Sequence, residues 1–188
     1  MHQISNYVKI RLYYSEASFS FLDYIIGGTS INVIVGIDLT STCGNFSSQN
    51  LPSYSSSNSE AGSNSLITSE YSIALNAVLE ILQEYDSDQL FPAFGFGARF
   101  KNQKIYQKFP LNGNHENPYC KGANGVVKSY ENLISETKSA SPKCFAPIIR
   151  YVNGLAKQAP DSSQYYVLLM LTDGTVDDWI ETKKAVIE

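Results

Sequence analysis

Two aspartates far apart in the chain each close an apolar run. Asp38 ends Ile31–Ile37 and is followed by hydroxyls at Thr40, Ser41 and Thr42; Asp173 ends Tyr165–Leu171. A carboxylate with alternating hydroxyls offers hard oxygen ligands, which suit a small divalent cation such as Mg²⁺ or Mn²⁺ that keeps several of its waters. The carboxyl ends of the strands are also where open α/β sheets bind their ligands. Taken singly, each aspartate reads as a loop residue that stops a strand. If the two strands are neighbours in a parallel sheet, both carboxylates meet on one rim.

Other reactive side chains suggest less. His2 stands near a terminus and His115 in a polar loop, and neither has a partner acid and nucleophile in its pattern. Ser141 and Cys144 have no histidine near them in sequence, so a hydrolase triad has no support. The glycines of Gly95–Gly97 lack the G-x-x-x-x-G-K-[ST] spacing of a phosphate-cradling loop. Cys43, Cys120 and Cys144 are odd in number and widely spaced, which fits reduced thiols better than a disulfide framework or a zinc site.

The composition frames these residues. A chain of 188 residues, 43% apolar and 17% charged, is long enough for one ordinary domain with its own core. A net charge of −4 and the absence of a basic stripe argue against nucleic-acid binding. No apolar run approaches the length of a bilayer span, and the first residues lack a basic-then-apolar signal pattern.

The elements that must position Asp38 and Asp173 follow from periodicity. Ile31–Ile37 is apolar and mostly β-branched, a strand buried on both faces, and Tyr165–Leu171 reads as a second. Tyr7–Tyr13 alternates and suggests a short strand. Phe19–Ile26 runs into a turn or boundary at Gly27-Gly28. Cys43–Ile67, rich in Ser and Asn, reads as a long loop, with Thr68 or Ser69 capping the next helix. Within that helix, Tyr71–Tyr85, the residues Ile73, Ala74, Ala77, Val78, Ile81 and Leu82 form one apolar face, and Asp86-Ser87-Asp88 ends it. Phe91–Phe100 reads as a strand whose glycines imply a bulge or close backbone approach, and Lys104–Phe109 as an antiparallel edge. Leu111–Gly125 reads as a loop, Val126–Thr137 and Phe145–Ala159 as helices with Pro147 in the first turn of the latter, and Asp177–Glu188 as a last helix with acids first and lysines later. Strands alternating with helices give an α/β fold with a doubly wound, mostly parallel sheet flanked by helices.

Several stretches carry a family resemblance: FLDYIIGG (Phe21–Gly28), GIDLTST (Gly36–Thr42), EYDSDQLFPAFGFGARF (Glu84–Phe100), ENPYC (Glu116–Cys120), FAPII (Phe145–Ile149) and LLMLTDG (Leu168–Gly174). From about residue 19 onward the chain resembles the von Willebrand factor A-type (VWA) domain of the copine family. The resemblance implies a VWA/Rossmann-like sheet with a metal-ion-dependent adhesion site on its carboxyl rim. Its ligands would be Asp38, Thr40, Thr42 and Asp173, and its metal Mg²⁺ or Mn²⁺. It also implies that residues 1–18 are a linker or the tail of a preceding C2 domain, and that residues 19–188 are the VWA domain. Copine VWA domains continue with further strand–helix units. The chain therefore reads as a fragment, or as a sheet completed by a partner segment.

One position departs from the family pattern. Where copines carry Gly-Pro-Thr before the FAP motif, this chain has Ser141-Pro142-Lys143-Cys144, so Lys143 stands in the place of a threonine ligand. A protonated amine has no lone pair for a metal. Beside a divalent cation at about 4 Å it is repelled by roughly 4 kcal/mol per unit charge at an effective dielectric of 20. Either Lys143 turns to solvent beside a weakened metal site, or its ammonium replaces the metal; both readings make Lys143 a site modifier and metal binding weak or absent. The function implied is a non-catalytic protein–protein interaction module of a calcium-dependent phospholipid-binding protein. Such a protein is cytoplasmic and reaches membranes through C2 domains outside this chain. The alternatives are the VWA domain of a RING-type ubiquitin ligase and a purely structural domain.

Overall fold

A computed structural model describes residues 20–40, 70–86, 88–101, 103–159 and 163–188. The sequence-derived strand Tyr7–Tyr13, the loop Cys43–Ile67 and the caps Thr68 and Ser69 lie outside them.

The apolar run that ends in Asp38 forms β1 (Ser30–Asp38), and nearly all of it is buried. It has a parallel neighbour on each side, β2 (Leu90–Phe96) and β8 (Gln164–Leu171). Ile37 lies opposite Leu171 and Asp38 opposite Phe96, so the three strands end together. Two short strands, β5 (Phe109–Pro110) and β6 (Tyr119–Lys121), pair antiparallel with β2, giving the order β5-β2-β1-β8 with β6 also on β2. A small second sheet joins β3 (Ala98–Arg99) to β4 (Ile105–Tyr106) and β7 (Lys138–Ser139).

Helices cover both faces, as the side-chain alternation of β1 requires. Ile31, Val33, Val35 and Ile37 share one core with α2 (Glu70–Leu82) and α3 (Gly122–Glu136), whose Leu75, Leu79, Val126 and Tyr130 are fully buried. Ile34 points the other way, onto Ile148 and Val152 of α4 (Ala146–Gln158). Gly36 shares that second face: a Cβ there would stand 2.6 Å from Ile148 Cδ1. The last helix, α5 (Trp179–Ile187), is tied to α4 by Arg150–Glu181 at 2.7 Å and by Asn153 donating to the Ala185 carbonyl at 2.6 Å. The result is the mostly parallel, doubly wound α/β sheet expected, of VWA/Rossmann-like type.

The structure corrects several local readings. Phe19–Ile26 contains a helix, α1 (Phe21–Ile26), started by a capping box in which Asp23 accepts from the Ser20 N–H at 2.7 Å. It turns out of the helix at Gly27-Gly28, where Gly28 has φ +88°. The buried face of α2 is not the one expected: Ser72, Leu75 and Leu79 face inward, while Ile73 and Ile81 are about 60% exposed. This helix is apolar around most of its girth, so periodicity does not choose a side. The choice is made by α3, through the Tyr71–Tyr130 ring contact and the Ser72–Glu131 hydrogen bond at 3.2 Å. The strand expected over Phe91–Phe100 breaks at Gly97, which has φ +69° and sends β3 into the second sheet. Lys104–Phe109 divides likewise, with β4 in one sheet and β5 beginning the other. The stretch Leu111–Gly125 is not all loop; it holds β6 and the first turn of α3. Finally, β8 is only half-buried, because among the described strands it pairs with β1 alone.

One buried carboxylate replaces part of a ladder. The β1–β2 pairing starts at Val35, and the Val33 N–H donates instead to Asp86 Oδ2 at 3.1 Å. Burial raises the Asp86 carboxyl above its usual range, against the lowering effect of that N–H. Asp86→Ala leaves a buried donor unpaired and is expected to cost about 1–3 kcal/mol. Asp86→Asn keeps an acceptor without a buried charge, so urea denaturation at pH 7 should show it at least as stable as wild type. A loss in Asn equal to that in Ala would reject this account.

Candidate functional site: the carboxyl rim of the sheet

Asp38 is fully buried, and its side-chain partners among the described residues lie on the rim. Its Oδ1 accepts from the Thr40 N–H at 2.9 Å and the Thr40 hydroxyl at 2.6 Å. Its Oδ2 accepts from the Thr172 hydroxyl at 2.9 Å, and Lys143 Nζ lies 2.9 Å from the same oxygen. Because β1 and β8 are parallel neighbours in register, Thr172 and Asp173 emerge beside Asp38.

The Lys143 side chain is only 7% exposed. Its ammonium donates to Asp173 Oδ1 and to Thr175 Oγ1, the latter at 3.0 Å. Asp173 Oδ1 also accepts from the Thr175 N–H and hydroxyl, at 3.2 and 3.1 Å. Burial alone pulls the ammonium pKa down; hydrogen bonds and charge from Asp173 and Asp38 overcome it, and the net shift is upward. The same contact, with help from the Thr175 N–H, holds the Asp173 carboxyl at about 2.

The lysine is fixed at its backbone as well. The Lys143 N–H donates to Asp177 Oδ2 at 2.6 Å, and the Asp177 N–H returns a bond to the Lys143 carbonyl at 2.8 Å. Next along, Asp178 accepts from the Phe145 and Ala146 N–H groups at 2.9 and 3.0 Å. It thereby caps α4, whose own N-cap residue, Phe145, provides no side-chain cap.

The third wall is made possible by Gly97. A Cβ there would fall 2.2 Å from Thr40 Cγ2. The Gly97 carbonyl accepts from the Ala140 N–H at 3.0 Å, and the Ser139 hydroxyl donates to the Thr40 carbonyl. Three loops, following β1, β7 and β8, are thus bound to one another.

Of the residues singled out in the sequence, Asp38, Thr40, Lys143 and Asp173 come together here; Thr42 lies outside the described residues. Four rim residues escaped the sequence reading: Thr172, Thr175, Asp177 and Asp178. The adjacent acids before the last helix were read as partners of that helix's own dipole, whereas Asp178 caps α4. Cys144 follows Lys143, but burial and the charges of Asp178 and Asp177 raise its thiol pKa, and burial does the same to Cys120. Neither is tuned as a thiolate nucleophile.

A divalent cation does not fit this donor set as it stands. The point between Asp38 and Asp173 is where the Lys143 ammonium sits, and that group offers hydrogens, not lone pairs.

An acid-range prediction follows from Asp173. Its folded pKa lies below the ordinary 3.8, so its contribution to stability is present above that value and is lost as pH falls toward about 2. The stability gap between wild type and Asp173→Asn should therefore narrow from pH 4 to pH 2, read as urea midpoints. A gap constant across that window would show that the ion pair contributes nothing.

An open α/β sheet, wound on both faces and gathering polar side chains at its carboxyl rim, defines a VWA/Rossmann-like domain. Compared with protein-family models, residues 63–188 match the Copine family, and the chain belongs to that family. The match includes Lys143, Asp173, Asp177 and Asp178, and begins after Asp38 and Thr40. Among the described residues no helix is long and apolar enough to cross a membrane.

Proposed function

We propose that the chain is a non-catalytic protein–protein interaction module of a copine-like, calcium-dependent phospholipid-binding protein, with partners docking on the carboxyl rim. The intact protein acts in the cytoplasm and is carried to membranes by C2 domains. The observation that carries this reading is the convergence of three loops on Asp38, Lys143 and Asp173, a rigid platform whose outer acid, Asp173, is 41% exposed. Recognition concentrates on loops that a rigid scaffold positions.

Trp179, 56% exposed and next to the α4-capping Asp178, is suited to report on the rim. Tyr119, 46% exposed, pairs near the opposite end of β2. A photo-crosslinking phenylalanine analogue at Trp179 should give a discrete adduct in cells that the same group at Tyr119 does not, and Asp38→Ala should abolish it. Equal labelling from both positions, or an adduct indifferent to Asp38, rejects rim docking. Calcium-dependent sedimentation of the intact protein with anionic vesicles tests the membrane half of the reading.

A further inference from the structure

We propose that the Lys143 ammonium is the resident cation of this rim: it takes the place of a divalent metal, assembles the three loops without one, and shuts the rim to an acidic side chain docking through a metal. The inference rests on the reading of the rim as a docking surface only in its last clause.

Three observations carry it. An ammonium has three N–H donors, and Lys143 has three acceptors around it: Asp38 Oδ2, Asp173 Oδ1 and Thr175 Oγ1. Two of its hydrogens go to Asp173 and Thr175, and Asp38 Oδ2 stands 2.9 Å away as its buried ion-pair partner. A docked metal keeps an exchangeable position for an incoming carboxylate; this amine is ringed by groups of its own chain.

The second observation is the anchoring. The Lys143 N–H and carbonyl are both bonded to Asp177, so the residue that throws the side chain inward is fixed on either side of its Cα. The alternative raised by the sequence, a lysine turned to solvent beside a weak metal, requires an exposed side chain, and this one is nearly as buried as Asp38 itself.

The third is charge. Asp38 and Asp173 bring two negative charges together, and Asp38 has no access to water. Its hydroxyl partners Thr40 and Thr172 satisfy lone pairs but neutralise nothing. Some cation must stand there, and the chain provides it. An acidic partner group would then meet the exposed Asp173 carboxylate and an amine already held by two carboxylates of its own chain. The rim so built selects against carboxylate ligands.

Mn²⁺ is the probe, followed by electron paramagnetic resonance on the full chain. Wild type should show no saturable binding in the millimolar range. Lys143→Thr, which exchanges the amine for a hydroxyl ligand, should bind at least about 100-fold more tightly. Asp38→Asn in that background should remove the gain. Saturable wild-type binding that Asp38→Asn abolishes would overturn the proposal, as would a folded Lys143→Thr that gains nothing. Should Lys143→Thr fail to fold, the wild-type protein still decides the matter. Its Lys143 ammonium protons should give a protected, slowly exchanging nitrogen-correlated NMR signal that Mg²⁺ leaves unmoved. Displacement of that signal by Mg²⁺ refutes a resident amine. These readouts do not involve a partner, so a failure of rim crosslinking would remove the docking reading and leave the resident cation in place.

Discussion

Lys143→Met is expected to lower the free energy of unfolding by about 3 kcal/mol, the low end of the range for breaking a buried ion pair from one side. The methionine fills much of the same volume, so the loss is electrostatic and not a cavity. What remains is Asp38, wholly buried, with Thr40 and Thr172 still donating to it. Those three hydrogen bonds keep the cost from reaching the upper end. The pair must be coupled: Asp38→Asn combined with Lys143→Met should recover a large part of the loss, since no unpaired charge then stays inside. The dependence on pH has a definite sign. The folded ammonium pKa is raised above its ordinary 10.5, so the stabilisation is complete below that value and fades only above it. Wild type and Lys143→Met should thus differ by a constant amount across neutral pH and converge in strong alkali. Chemical denaturation of the two singles and the double measures this. A single-variant cost under 1 kcal/mol would mean that the loops hold together without the amine.

The rim and its framework were readable to different degrees, for physical reasons. The strands β1 and β8 announced themselves because a run of β-branched and apolar residues that ends in an aspartate has few other uses. Their adjacency stood only as a condition in the sequence, and the parallel register of Ile37 with Leu171 meets it. The inward face of α2 was hidden because Ile73 and Ile81 are as apolar as Leu75 and Leu79; only the docking of Tyr130 and Glu131 separates the two stripes. A three-residue strand such as β6, set among Asn, Gly and Pro, has no period long enough to see. The caps were hidden for another reason. Asp178 serves helix α4, more than thirty residues upstream, and sequence reading looks for a cap beside the helix it starts. Lys143 stood out only against the family pattern, and its direction, inward, depends on the Asp177 clasp that nothing local in the sequence reveals.

Gly97→Ala is expected to cost about 3 kcal/mol and to act on the rim more than on the core. Two costs add. The backbone at Gly97 has φ +69°, where a Cβ is strained by about 1–2 kcal/mol. The new methyl would also lie 2.2 Å from Thr40 Cγ2, and Thr40 cannot turn that methyl aside without giving up its hydroxyl bond to Asp38. Whether the side chain turns or the loop after β1 moves, Asp38 loses at least one of the hydrogen bonds that Thr40 and Thr172 give it. That ties this substitution to the one at Lys143. With Thr40 displaced, Asp38 depends more heavily on the amine, so Gly97→Ala and Lys143→Met together should cost more than their sum. Gly113 provides the control, with nearly the same backbone, φ +73°, and nothing within 4 Å of an added Cβ. Gly113→Ala should therefore show the backbone strain alone. Urea denaturation of Gly97→Ala, Gly113→Ala and the Gly97→Ala/Lys143→Met double separates the two contributions. Equal losses at the two glycines, or simple additivity with Lys143→Met, would show that Thr40 is not pressed against the strand break and that the rim tolerates its displacement.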